Sequence, residues 1–316
     1  MGSYIEMGFQ AICRPPRTTY EEDKIPNTML IEGYGEIRRH PVSFPNSRGQ
    51  KIIGSFYPPN EMPENPSCVI YLHGNASSQI EGTFLIPILV PLGISVLCFD
   101  FSGCGMSEGN YISLGLLEKD DVSGAIAHLL AKYRIKRFAL YGRSMGAATC
   151  FFSIADNPFI ECAVADSPFA SLPQLISEIV QQYHVPGFMS SFLTWIISGK
   201  TKELVGFDVR DCVPIKYAPQ CHVPIMIIHG QKDDFINCSH SRDLYDQYGC
   251  SRKEIRIVHG NHNSERPIQT VFEAVQFITN VLNVPFNLQA DQIHIQIESA
   301  YNHFSNVQEM IDNYEQ

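Results

Sequence analysis

A serine held between two glycines, Gly142-Arg143-Ser144-Met145-Gly146, is the group in this chain best placed for chemistry. Before it, Arg137-Phe138-Ala139-Leu140-Tyr141 reads as a short buried strand, and after it Ala147 to Phe152 continues as a helix. A serine on so sharp a strand-to-helix turn stands clear of the backbone. Such a turn is crowded, and Gly142 and Gly146 remove the Cβ atoms that would collide there. Ser144 also sits at a helix N-terminus, where free N–H groups and the dipole favour negative charge. A serine hydroxyl is a weak nucleophile at neutral pH, so it needs a base, and the base needs a third group to orient it.

With this turn the partners follow in the chain order serine, acid, histidine, each on a loop after a later strand. Gly230-Gln231-Lys232-Asp233-Asp234 follows a strand at 224–229, and His259-Gly260-Asn261-His262-Asn263 follows one at 254–258. Both loops emerge at the C-terminal edge of the sheet, where open α/β sheets place ligands. Asp233 is assigned as the acid and His262 as the base. Asp234, its neighbour, and Asp166, at the end of an earlier strand, are rival acids. His259 lies too close to its strand end and reads as a local hydrogen-bonding residue. An oxyanion would be held by the N–H of Met145, next after the nucleophile, and by that of Asn75 in His73-Gly74-Asn75. No metal is expected. His73, His229, His259 and His262 all end strands, but they lack the i, i+4 pairing and carboxylate of a zincin. No Walker loop or GxGxxG opens a helix, so no cofactor is expected, and Gly103-Cys104-Gly105 reads as a glycine turn beside the site.

The elements that must position these groups form an α/β pattern. Residues 1–34 read as an irregular strap carrying Arg14-Pro15-Pro16-Arg17. Two strands, about 35–44 and 51–57, are joined by Pro45-Asn46-Ser47-Arg48-Gly49, a hairpin turn. Then continuous apolar strands at 68–72, 94–100, 137–141 and 162–166 alternate with helices at about 78–90, 114–133 and 144–155. Such alternation predicts a mostly parallel sheet buried on both faces. Residues 167–223 break the rhythm and read as an inserted helical cap. It carries Leu175, Ile176, Ile179, Val180, Phe188, Phe192, Leu193, Trp195 and Ile196, as cap core or as a wall for an acyl chain. The main domain is thus 35–286. In the tail, 287–316, Ile293, Ile297, Ala300, Tyr301, Phe304, Val307 and Ile311 fall at helical spacing. That stripe is expected to dock on the domain.

A net charge of −10 over 316 residues argues against a nucleic-acid partner. Ten scattered cysteines without a CxxC pair read as reduced thiols and place the chain in the cytoplasm. No secretory signal is read, and the apolar run from Phe84 to Phe99 is too short and too broken for a transmembrane segment. Peripheral membrane contact and oligomeric state are left open.

Taken together, these residues resemble the α/β-hydrolase superfamily over roughly residues 35–285. The likeness rests on His73-Gly74-Asn75, the run from Asp100 to Ser107, Gly142-Arg143-Ser144-Met145-Gly146, His229-Gly230-Gln231-Lys232-Asp233 and Gly260-Asn261-His262-Asn263. Within it, the chain is similar to the serine-aminopeptidase-like and monoacylglycerol-lipase-like branch and to cytosolic protein depalmitoylases. A narrower likeness is to plant and protist hydrolases with Arg14-Pro15-Pro16-Arg17 and Asn263-Ser264-Glu265-Arg266-Pro267. The resemblance puts the acid three residues after the glycine of His-Gly, which is Asp233. It implies a serine hydrolase forming an acyl-enzyme from a small-molecule ester or thioester. The alternatives are a serine aminopeptidase, which would want an acidic pocket for the substrate amine, and a non-catalytic scaffold.

Overall fold

The computed structural model describes residues 9–314 except 11, 15 and 183–186, with the side chains of 182–193 and 312–314 also outside the described set. Among the described residues, eight strands form one sheet in the order β10-β9-β8-β7-β5-β6-β4-β3. These are β3 (His40–Pro45), β4 (Lys51–Tyr57), β5 (Ser67–Leu72), β6 (Ile94–Phe99), β7 (Arg137–Arg143), β8 (Ile160–Asp166), β9 (Ile225–Gly230) and β10 (Lys253–Val258). The six strands from β10 to β6 run parallel, and β4 and β3 add antiparallel at one edge.

The central strands are apolar on both faces because both faces are covered. In β5, Cys68, Ile70 and Leu72 join one core, while Val69 and Tyr71 join the other. This is the period-2 split of a pleated strand. The first core packs against α2 (Lys119–Tyr133) and α3 (Met145–Asp156); α1 (Ile86–Leu89) and α7 (Ile268–Val281) cover the second. The C-terminal residues form α8 (Ala290–Tyr314), which buries Ile293, Ile297, Ala300, Phe304, Val307 and Ile311 on the second core. Burying an isoleucine, valine or phenylalanine side chain contributes ~1.5–3 kcal/mol each. Tyr301 is the exception in that stripe, at 48% exposure.

Four local differences from the sequence reading have physical causes. The segment expected as one helix at 78–90 is mostly 3-10, Gln79–Leu85 and Val90–Leu92 around the four-residue α1. Pro87 and Pro91 remove N–H donors that an α-helix would need. The helix expected from 114 starts at Lys119. The buried Glu118 carboxylate gathers the N–H groups of Ser113 and Gly115 and the Ser113 hydroxyl into a loop instead. The strap is not wholly irregular, because β1 (Thr28–Ile31) pairs antiparallel with β2 (Gly35–Arg38), burying Met29 and Ile31. The strand expected over 35–44 is therefore two, β2 and β3, which belong to different sheets.

Residues 167–223 carry α4 (Leu172–Gln182), α5 (Gly187–Leu204) and short 3-10 turns. Leu175 and Ile176 are core, Ile179 and Val180 pack on it, and Trp195 is 63% exposed. The side chains of Phe188, Phe192 and Leu193 lie outside the described residues. α6 (Ser239–Gln247) follows β9.

Candidate active site

Ser144 stands at φ 53°, ψ −114°, a strained conformation for a residue with a Cβ, and α3 begins at the next residue. The two glycines around it are required by space. A Cβ on Gly142 would lie 2.3 Å from the Gly146 oxygen, and one on Gly146 would lie 1.9 Å from the Leu72 oxygen. The Ser144 N–H donates to the Asp166 carbonyl at 2.8 Å, which ties the turn to β8.

The loops after β9 and β10 bring the other two groups in. The Ser144 hydroxyl is 3.0 Å from His262 Nε2, and His262 Nδ1 is 2.7 Å from Asp233 Oδ2. All three residues are buried. Asp233 Oδ1 accepts the N–H groups of Phe235 at 3.0 Å and Ile236 at 2.7 Å, and His229 Nε2 lies 3.3 Å from Oδ2. Burial alone would raise the Asp233 carboxyl. Hydrogen bonds from His229, His262 and the Ile236 N–H outweigh it and hold the group well below the usual carboxylate range. Phe235 packs its ring 5.2 Å from that of His262.

The rival residues lie elsewhere. Asp234, next to the buried Asp233, is exposed, and so is His259. Asp166 is buried, but Arg266 grips it: Nε reaches both carboxylate oxygens at 3.0 and 2.8 Å, and Nη2 reaches Oδ1 at 2.8 Å.

The oxyanion segment follows β5. His73 is fully buried; its Nε2 accepts the Phe101 N–H at 3.0 Å and its Nδ1 meets the Gly74 oxygen at 2.7 Å. This fixes the turn entering Asn75. Met145 is the first residue of α3, directly after Ser144, and a Cβ on Gly74, next to Asn75, would lie 3.8 Å from Ser144 Cβ.

Sequence reasoning missed several residues that shape this edge. Arg17, the second arginine of Arg14-Pro15-Pro16-Arg17, donates to the carbonyls of Gly105 at 2.7 Å, Gly109 at 3.0 Å, Cys104 at 3.2 Å and Ser107. It pins the glycine turn to the strap. Beneath that turn, buried Asp100 accepts from the Tyr20 hydroxyl, the Gln79 N–H at 2.7 Å and the Met106 N–H at 2.9 Å. Arg143 and Arg266 hold the loop of His262, Arg266 by donating from Nη1 to the Asn261 and Ser264 carbonyls at 3.0 and 3.1 Å. The doubled prolines and the Ser-Glu-Arg-Pro run were the available signals, but neither names a partner.

An esterase of Pyrococcus furiosus, Pf2001, superposes with a TM-score of 0.63 at 22% identity, covering 85% of this chain and 98% of that one. This is an α/β-hydrolase fold. Residues 63–203 match the family described as serine aminopeptidase, S33, a stretch that holds Ser144 and ends before the loops of Asp233 and His262. The uncharacterized protein YqkD of Bacillus subtilis is 25% identical over 222 residues, 69% of this chain and 71% of YqkD. The alpha/beta hydrolase domain-containing protein aho-3 of Caenorhabditis elegans is 23% identical over 262 residues, 79% of this chain and 70% of aho-3. No helix among the described residues of this α/β-hydrolase-fold chain is long and apolar enough to cross a membrane.

Proposed function

We propose that this protein is a serine hydrolase that cleaves carboxylic esters or thioesters through an acyl-enzyme on Ser144. The observation that carries the reading is the hydrogen-bonded line Ser144–His262–Asp233, at 3.0 and 2.7 Å. Ser144 Oγ attacks the acyl carbon while its proton passes to His262 Nε2. The tetrahedral oxyanion sits toward the Met145 and Asn75 amides, a type of contact worth ~3 kcal/mol per donor in the barrier. Its collapse expels the alcohol or thiol, which takes the proton from His262. Water then repeats the sequence on the acyl-enzyme and frees Ser144. Asp233, ionised and aimed at Nδ1, holds the imidazole in the tautomer this needs.

The cavity of about 740 Å³ bounded by Glu178, Asp234 and Phe235 favours a second reading, amide cleavage beside a free amine. Its carboxylates would suit an ammonium group, and the S33 match points the same way. Against it, His240 Nε2 already meets Glu178 at 2.9 Å.

A panel of p-nitrophenyl esters of increasing chain length, beside aminoacyl amides, tests the reading. Turnover of esters by the wild type, abolished in folded Ser144→Ala, is the expected result. Faster turnover of aminoacyl amides would favour the second reading, and equal rates in both proteins would remove the nucleophile.

A further inference from the structure

We infer that Arg143 and Glu81 are positioning residues, one ion pair that locks the loop of His262 to the loop of Asn75. The inference rests on the hydrolase reading above and deepens it. Arg143 is the last residue of β7 and directly precedes Ser144. Its Nη2 donates to the His262 carbonyl at 3.2 Å and to Asn263 Oδ1 at 2.9 Å, and its Nη1 donates to Glu81 Oε1 at 3.2 Å. Glu81 carries the connection onward. Its Oε2 accepts the Gly74 N–H at 3.1 Å and its Oε1 accepts the Tyr71 hydroxyl at 2.9 Å. One chain of polar contacts thus runs from the backbone of the base, past the nucleophile, to the peptide that leads into the oxyanion donor.

The three groups converge on Gly74 at ordinary contact distance. A Cβ placed on Gly74 would lie 3.6 Å from Glu81 Oε2, 3.7 Å from Arg143 Nη1 and 3.8 Å from Ser144 Cβ. The pair also stays charged. Burial would raise the Glu81 carboxyl, but the Arg143 guanidinium, the Ser77 hydroxyl and the Gly74 N–H together hold it below the usual carboxylate range. Arginine is suited to this place. Its planar fork presents several donors in fixed directions, whereas a lysine ammonium is a point charge that can satisfy Glu81 without also spanning to His262 and Asn263.

Arg143 meets His262 at its backbone carbonyl, and neither Arg143 nor Glu81 is a member of the reacting line. Both open instead on a separate cavity of about 730 Å³, walled on its far side by His294, Glu298 and Tyr301 of α8 and lined by none of Ser144, Asp233 and His262. They therefore act through the two loops. Their effect should appear in turnover, where the base and oxyanion donors must hold geometry together, and little in substrate affinity. Losing 1 Å of placement in such a site costs on the order of 10²-fold.

The test compares Arg143→Met, Arg143→Lys, Glu81→Gln and the double Arg143→Met/Glu81→Gln with wild type, on one p-nitrophenyl ester, per folded molecule. Expected are a kcat loss of about 10- to 100-fold in Arg143→Met with KM within about 2-fold, partial rescue in Arg143→Lys, and a double variant no worse than Arg143→Met. The far-downfield proton NMR line of the His262–Asp233 hydrogen bond should broaden or shift in Arg143→Met and Glu81→Gln. Unchanged kcat per folded molecule and an unmoved line in Glu81→Gln and Arg143→Lys, the variants that conserve most of the packing, would overturn the inference. Ser144→Ala run alongside separates the two claims. Activity surviving there removes Ser144 as the nucleophile, while the NMR line still decides whether the pair positions His262.

Discussion

Asp166 and Asp233 invite comparison, because one closes a strand, the other lies in the loop after the neighbouring strand of the same sheet, and both are almost wholly out of water. Their side chains are 5% and 0% exposed. Asp166 closes β8 and meets Arg266, a cation that never gives up its proton. Asp233 lies three residues past the end of β9 and meets His262, a ring that can take and return one. Either carboxylate could orient a histidine; the partner that the fold delivers decides. Asp166 still serves the site, through its backbone, which receives the Ser144 N–H, and through Arg266, which holds the stem of the loop of His262. One loop is thus gripped at two points, at its stem through Arg266 by one aspartate and at its histidine ring by the other.

The comparison predicts a graded series. Asp233→Asn should lower ester turnover by on the order of 10⁴-fold with the fold intact, because the imidazole loses its orienting acceptor. Turnover at equal folded fraction measures it. Asp166→Asn should act mainly on stability. It leaves Arg266 buried without its anion, a type of loss that costs ~3–5 kcal/mol, and its turnover per folded molecule should exceed that of Asp233→Asn. Urea unfolding checks the first point, and a larger turnover loss in Asp166→Asn than in Asp233→Asn would exchange the two roles.

A third buried aspartate sharpens the series through pH. Burial pushes the Asp121 carboxyl up to about 6, despite Arg48 and Asn46 beside it. Its native value lies above its unfolded one, so the native state holds the proton longer and stability falls as pH rises from about 4 to about 6, by ~3 kcal/mol for a shift of about two units. Asp233 has the opposite sign. Its value is depressed in the fold, so its contribution is complete above pH ~4 and is lost as pH falls through the native value. Urea midpoints from pH 3 to 7 should show Asp121→Asn flattening the upper window and Asp233→Asn flattening the acid limb. Asp234→Asn is the smallest change. It is exposed, and its turnover should stay within about 2-fold of wild type, as for most surface substitutions.

What was legible in the chain was what depends on neighbours in sequence. The turn at Ser144 is enforced by Gly142 and Gly146, two residues away on either side, and the alternation of apolar strands with helices states the sheet. Asp233 and His262 could be placed because each loop follows a readable strand. The rest depends on distant partners. Arg17 reaches the glycine turn at 104–109, Tyr20 reaches Asp100, and Arg266 reaches Asp166 across a hundred positions. An arginine in sequence carries no mark of the carboxylate it will meet. β1 was hidden for another reason: four residues with two inward apolar side chains, Met29 and Ile31, are too few to show a period.

The central claim is that Ser144 is a nucleophile activated by His262. Labelling with a fluorophosphonate, read as intact mass and mapped by peptide, tests it most directly. The account predicts one adduct per chain on Ser144, none on folded Ser144→Ala, and strongly slowed labelling in His262→Ala but not in His259→Ala. Labelling that persists on folded Ser144→Ala, or that fails in His259→Ala while surviving in His262→Ala, would contradict it.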